Sequence, residues 1–506
     1  MVIFDYNGRY MKDNIRTNVI VNLIRTLALT ILSFMTFPWV CRVLGDARLG
    51  LYTWCNTFAY YFLVLAKIGL PNLAIRECVK VRDDKEKLSN KVQGFFLLQG
   101  VTTILSFALM CSFVFAIPSL FDAKSVIFLL AINFVSGAFS FEWVFIALEK
   151  QFYISVRSII VLALSALMII LLVKNPDDIY VYALITAGVT VITSIANCFF
   201  ITKFISFKKT MPYDLKQYAK PLFTLCTLSF MLALYNQTDT FILGFINVDK
   251  SQVGSYSVGI KGIEIVIGVI TSLSTVFIPR STYYYELADK RYFKNLLRYS
   301  TNICAFIVIP AIITMCFLSK DICLIIAGSE GYTNATLILI ILSFMMLTYS
   351  LGDIIYGQAL IPMKKEKYYL YSMIAGVILN IGLSFLFALT IFASAPAIGV
   401  AIATMITDLL VLIFLLSKTW KWVYKAIFSL NNIKLLIAGI IICIPSLIFT
   451  FIFPLGNLFP ALDATTKSVV QIILVVLIDA IIYIASLLIM KEDLVYSFIK
   501  KTPKEI

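Results

Sequence analysis

A chain of 506 residues with 60% hydrophobic and 14% charged side chains cannot give several soluble domains a polar surface, since soluble chains carry about 25% charged residues. It has no histidine, which excludes imidazole acid–base catalysis and histidine metal ligands. Its net charge of +14 resides in short loops between apolar runs, a pattern of membrane topology rather than of nucleic-acid binding.

The apolar runs predict an all-α integral membrane protein with about fourteen transmembrane helices. They lie near 17–41, 49–71, 92–117, 125–148, 155–173, 179–202, 221–247, 252–279, 299–318, 334–361, 368–391, 397–417, 435–453 and 468–490. Each is long enough to cross a hydrocarbon core of about 30 Å. The residues before the first run are polar and lead straight into it, so no cleaved signal peptide is expected.

Charge tests this map. Most of the 42 Lys and Arg fall in the even-numbered loops and the two tails. The odd-numbered loops hold Arg42, Arg48, Lys124, Lys174, Lys250, Lys320 and Lys467. Cytoplasmic loops are enriched in Lys and Arg, so both termini are expected in the cytoplasm. A missed span would scramble the alternation downstream, which supports the count. The odd-numbered loops are short. A membrane-embedded sugar-chain polymerase or glycosyl transferase needs catalytic acids on an extended loop, so no enzyme is expected.

Polar residues inside the spans are the next signal, since a charge at the centre of a spanning helix costs about 2.5–3.5 kcal/mol on insertion scales. In span 1, Asn18, Asn22, Arg25, Thr26, Thr30, Ser33 and Thr36 fall within an arc of about 140° at helical spacing. Helix packing through small hydroxyls accounts for part of this stripe. Two asparagines and an arginine exceed what packing requires and fit a water-filled lumen. In span 2, Lys67 aligns with Thr53, Asn56 and Tyr60, either facing that lumen or snorkelling to the interface. In span 8, Ser257, Lys261, Glu264, Gly268, Thr271 and Thr275 recur at steps of three and four. Lys261 and Glu264 can pair one turn apart, as a structural ion pair or as a cation that exchanges Glu264 for an anionic substrate. Asp239 and Glu142 are intramembrane acids and candidates for proton or sodium coupling. The ten cysteines show no metal or redox spacing.

A weak internal repeat divides the chain. Leu44-Gly45 followed by Leu49-Gly50-Leu51-Tyr52 is echoed by Leu243-Gly244 followed by Val253-Gly254-Ser255-Tyr256, six spans later. Both copies run in the same direction, a parallel repeat. The expected organisation is an N-terminal lobe at 1–202, a cytoplasmic linker at 203–220, a C-terminal lobe at 221–417, and helices 13 and 14 with a tail at 418–506.

Several motifs resemble one family. They are Lys67-Ile68-Gly69-Leu70-Pro71, Arg76-Glu77, Glu142-Trp143, Ala147-Leu148-Glu149, Arg157, Ile242-Leu243-Gly244, Pro279-Arg280 and Gln358-Ala359-Leu360-Ile361-Pro362. In order and spacing the chain is similar to bacterial polysaccharide (O-antigen and exopolysaccharide) repeat-unit flippases of the multidrug/oligosaccharidyl-lipid/polysaccharide exporter superfamily. The resemblance implies two six-helix lobes around a central cavity plus two C-terminal helices. It implies flipping of an undecaprenyl-diphosphate-linked glycan across the lipid bilayer of the bacterial cytoplasmic (inner) membrane by alternating access. No cofactor is implied beyond a proton or sodium gradient, and no nucleic acid; a polysaccharide polymerase and a chain-length regulator are the expected partners. Arg25, Lys67, Lys261 and Glu264 match the lumenal cations and acid of the related lipid II flippases. A multidrug exporter of the same superfamily is the alternative.

Overall fold

The computed structural model describes residues 10–208, 215–247, 249–328, 332 and 334–500; within these, the side chains of 10–20, 22, 23, 265 and 497–500 lie outside the description. The described elements are helical, and contacts divide the chain into two units, Met1–Gln237 and Thr238–Ile506.

In the first unit, α1 (Tyr10–Lys67) is continuous except at Gly45, whose φ of 72° and ψ of 174° interrupt it. Glycine adopts that backbone without penalty, so the interruption divides the run into the two spans read at 17–41 and 49–71. After Lys67 the chain passes through Ile68 and Gly69, both at positive φ, into α2 (Leu70–Val79) with Pro71 in its first turn. A Cβ at Gly69 would lie 2.5 Å from the Cβ of Leu225; the turn requires glycine for conformation and for space. The side chain of Asp84 caps α3 (Lys85–Ala116) by accepting from the Glu86 and Lys87 amides.

The fourth span is broken. A short α4 (Pro118–Asp122) precedes α5 (Lys124–Leu130), α6 (Ile132–Ala138) and α7 (Glu142–Ala147). Then come α8 (Gln151–Leu172), α9 (Ile179–Ile201) and α10 (Ala219–Ile246), within which the boundary of the two units falls. The core of the first unit gathers Leu70, Leu73, Leu88, Phe95, Trp143 and Leu222.

The second unit continues with α11 (Ser251–Glu286), bent by 43° after Glu264, and α12 (Lys290–Ala327). It is completed by α13 (Ala335–Ile354), α14 (Glu366–Leu386), α15 (Pro396–Ile427), α16 (Leu430–Leu447), α17 (Ala464–Ile489) and α18 (Asp493–Lys500). The last two spans dock on α12: Leu435, Ala438, Ile442, Tyr483 and Leu487 pack with Ala305 and Ile309. Gly439 allows the approach, since a Cβ there would meet Ile309 at 2.5 Å.

Twelve described helices are long and apolar enough to cross a membrane, or thirteen with the bent α11. The first of them, Ile24–Val79, holds the two spans on either side of Gly45 as well as the short α2, which brings the count to the expected fourteen. Their outer faces are apolar, with Ile440, Ile481 and Ile489 each more than two-thirds exposed. Only helices that satisfy their backbone internally tolerate hydrocarbon around such faces.

Candidate functional site

The break in the fourth span lies within an apolar run and frees backbone carbonyls that hydrocarbon cannot hydrate. Side chains from α3 and α9 satisfy them. Gln99 Nε2 donates to the Gly137 carbonyl at 2.8 Å, Ser194 Oγ to Ser136 at 2.6 Å, and Asn197 Nδ2 to Ser140. Phe141, at a φ of 46°, turns the chain into α7. Its first residue is Glu142.

Two arginines from other helices converge on that carboxylate. Arg25 of α1 lies 3.4 Å from Glu142 Oε1, and Arg157 of α8 lies 3.5 Å from Oε2. The two are held differently. The Arg157 side chain is 6% exposed. It donates to Asn197 Oδ1 and to Ser158 Oγ at 3.3 Å, and its guanidinium carbon lies 5.7 Å from the Tyr153 ring centroid. Arg25 is 23% exposed, and Glu142 is its one ion-pair partner among the described residues. Lys67, exposed at the end of α1, interacts electrostatically with the same carboxylate. Two arginines pair with one acid and Lys67 interacts with it electrostatically, so the group carries an excess of positive charge. Such a cluster can receive a multivalent anion, and arginine offers a fork that matches phosphate oxygens.

The second unit carries two polar sites. On α11, Lys261 Nζ lies 2.7 Å from Glu264 Oε2, directly before the bend. The carboxylate is half exposed, at 52%, and is open to exchange. Deeper in the unit, buried Asp239 of α10 accepts from Tyr256 Oη and from Asn380 Nδ2 at 3.0 Å. Asn380 Nδ2 also donates to Thr404 Oγ1 at 3.1 Å. Asp408, one turn beyond Thr404 and also buried, interacts electrostatically with Tyr256. No Lys or Arg forms an ion pair with Asp239 among the described residues. A buried carboxylate served only by neutral donors is chemically suited to exchange a proton or small cation.

The expected residues therefore fall into three places. Arg25 pairs with Glu142, an acid read from sequence as a separate coupling candidate, and Lys67 interacts with the same acid electrostatically. Lys261 and Glu264 form their own pair, and Asp239 lies in a third network. Asn18 and Asn22 lie outside the residues whose side chains are described. Arg157, Asn197, Asn380 and Thr404 escape sequence reasoning as site residues. The signal for Arg157 was a charge inside the apolar run 155–173; the asparagines and threonine are common packing residues in spans.

Spanning helices with charges paired inside their apolar runs, one span broken and its carbonyls re-satisfied, define a polytopic membrane protein of the transporter class. The chain belongs to the Polysaccharide biosynthesis protein family, whose signature it matches over residues 15–284; residues 225–386 also match the MatE family. It is 22% identical over 406 residues to a protein of Escherichia coli (strain K12) named for O-antigen transport, covering 79% of this chain and 95% of that one. Its fold is similar to that of the lipid II flippase MurJ in an inward closed conformation, with a TM-score of 0.66, 19% identity, and coverage of 93% of this chain and 100% of that chain. An inward-facing multidrug resistance MATE family transporter of the MOP superfamily is similar with a TM-score of 0.58 and 15% identity, covering 80% and 98%.

Proposed function

We propose that this protein flips an undecaprenyl-diphosphate-linked oligosaccharide repeat unit from the inner to the outer leaflet of the cytoplasmic membrane, by alternating access, for surface polysaccharide assembly. The observation that carries this reading is the cluster of Arg25, Lys67 and Arg157 around the single acid Glu142. The cargo joins a polar glycan and an anionic diphosphate to a prenyl tail. Only the first two need a polar path; the tail can stay in lipid. Arg25 and Lys67 receive the diphosphate; within the second unit, Lys261 can exchange Glu264 for an anion. Asp239, with Tyr256, Asn380 and Thr404, takes the coupling proton or sodium ion. Asn18 and Asn22 supply hydrogen bonds to the glycan. Both termini lie in the cytoplasm, as the loop charges require.

The test is the double variant Arg25→Ala/Lys261→Ala in cells that make the polysaccharide. Surface polysaccharide is expected to be lost at unchanged protein level; full production would overturn the assignment. The MATE-like fold supports a second reading, export of small organic cations. Excess positive charge in the first unit disfavours cationic cargo. Resistance to cationic dyes in an efflux-deficient host would favour that second reading.

A further inference from the structure

Glu142 stands where a substrate anion would stand. It bridges a fixed arginine and a loosely held one. Arg157 is buried and tied through Asn197 to the broken backbone of the fourth span. Both contacts with Glu142 are long for charge-assisted hydrogen bonds, 3.4 Å from Arg25 and 3.5 Å from Arg157, but Arg25 is the more exposed of the two and, among the described residues, lacks anchoring bonds like those of Arg157. Release of Arg25 leaves Glu142 paired with Arg157, so no uncompensated carboxylate remains in the membrane, which is otherwise strongly destabilising.

We propose that Glu142 is an internal surrogate for a diphosphate: it occupies Arg25 when the protein is empty, yields Arg25 to the diphosphate of the cargo, and waits on Arg157 until the cargo leaves. The inference rests on the reading of Arg25 as a diphosphate-binding cation. Two consequences follow from charge balance. In the empty protein Glu142 offsets one positive charge of the cluster and gives Arg25 a partner while the protein reorients. The loaded protein holds its anion less tightly than an uncontested Arg25 would, so product release is not slowed by excess affinity. Glu142 acts here as a positioning residue and Arg157 as its anchor.

The experiment measures binding of inorganic pyrophosphate to the purified full-length protein in lipid nanodiscs, by calorimetry. Glu142→Gln is expected to tighten binding by about fivefold to tenfold, the scale of one lost competing hydrogen bond of ordinary strength. Arg25→Ala and Glu142→Gln/Arg25→Ala are expected to lose it. In proteoliposomes, Glu142→Gln should lower both KM and turnover for the lipid-linked substrate, a split that a merely structural role does not produce. Unchanged or weaker pyrophosphate binding by Glu142→Gln, with Arg25→Ala still impaired, overturns the surrogate role and leaves the reading of Arg25 standing. Unchanged binding by Arg25→Ala overturns the reading itself. Absence of binding in wild type and Glu142→Gln alike also overturns the surrogate. If Glu142→Gln does not fold, Glu142→Asp carries the test: it withdraws the carboxylate by one methylene, and an affinity equal to wild type overturns the proposal.

Discussion

Arg157 and Asn197 together hold the broken fourth span in place: the guanidinium donates to the Asn197 amide oxygen, while the amide nitrogen donates to the Ser140 carbonyl. Tyr153 Oη donates a second bond to that amide oxygen at 3.3 Å. Asn197 is fully buried, so each of these groups depends on the others for its partner.

Asn197→Leu keeps the volume roughly constant and removes both functions of the amide. It leaves a guanidinium N–H and a backbone carbonyl unpaired, each at a cost of about 1–3 kcal/mol. Thermal unfolding of the detergent-solubilised protein should shift downward by several degrees, and polysaccharide export should fall. An unchanged melting curve would show that the break is held by other contacts.

Gly69→Ala addresses the turn after the second span. A positive φ costs a side-chain-bearing residue about 1–2 kcal/mol, and the added Cβ would lie 2.7 Å from the Leu225 carbonyl carbon and 2.9 Å from the Cys226 nitrogen. Those are backbone atoms, so trimming Leu225 cannot relieve the clash. Gly69→Ala and Gly69→Ala/Leu225→Ala should both lose folded protein, measured as the monodisperse fraction on size exclusion. Recovery in the double variant would contradict the backbone clash.

Glu77 lies in the polar stretch between the second and third spans, with Lys80 at 2.6 Å, Lys91 at 3.0 Å and the Tyr218 hydroxyl at 3.3 Å. Burial by itself raises its pKa, but hydrogen bonds from Lys80 and Lys91 outweigh it and hold the carboxyl at about 2, below its ordinary 4.5. A depressed carboxylate contributes stability that is complete above the unfolded value and is lost as pH falls through the folded one. Wild-type thermal stability should therefore decline between about pH 4.5 and pH 2, and Glu77→Gln should be less stable at pH 7 with a flatter acid limb. Parallel curves for the two proteins would exclude Glu77 from the acid transition.

Asp239→Asn preserves shape and removes the charge; its single amide oxygen keeps one of the two accepted bonds, and the Tyr256 hydroxyl can turn to accept from the new amide nitrogen. In proteoliposomes it should abolish the stimulation of flipping by an imposed proton or sodium gradient, while cargo binding persists. Tyr256→Phe, which removes one donor, should only weaken the response. Full gradient dependence in Asp239→Asn would assign coupling to another acid.

Much of this was legible in residue order. The fourteen apolar runs, the loop charges and the repeat around Tyr52 and Tyr256 are one-dimensional signals. The structure adds what those tyrosines do: Tyr52 donates to Thr186 in the first unit and Tyr256 to Asp239 in the second. Lys261 and Glu264 could be paired from sequence because three residues along one helix set their geometry. The fourth span read as one continuous run because hydropathy responds to composition and not to backbone direction. Phe141 carries no glycine or proline signal, although its φ of 46° turns the chain just before Glu142.

Sequence alone determined that this chain is a membrane-spanning helical bundle with cations inside its spans, because hydrocarbon thickness and the cost of buried charge act on every residue locally. Tertiary structure decided that Arg25 and Arg157, more than 130 positions apart in the chain, share Glu142. An ion pair between distant helices depends on where a broken span turns, and the partners that stabilise that turn, Gln99, Ser194 and Asn197, come from helices far away in sequence.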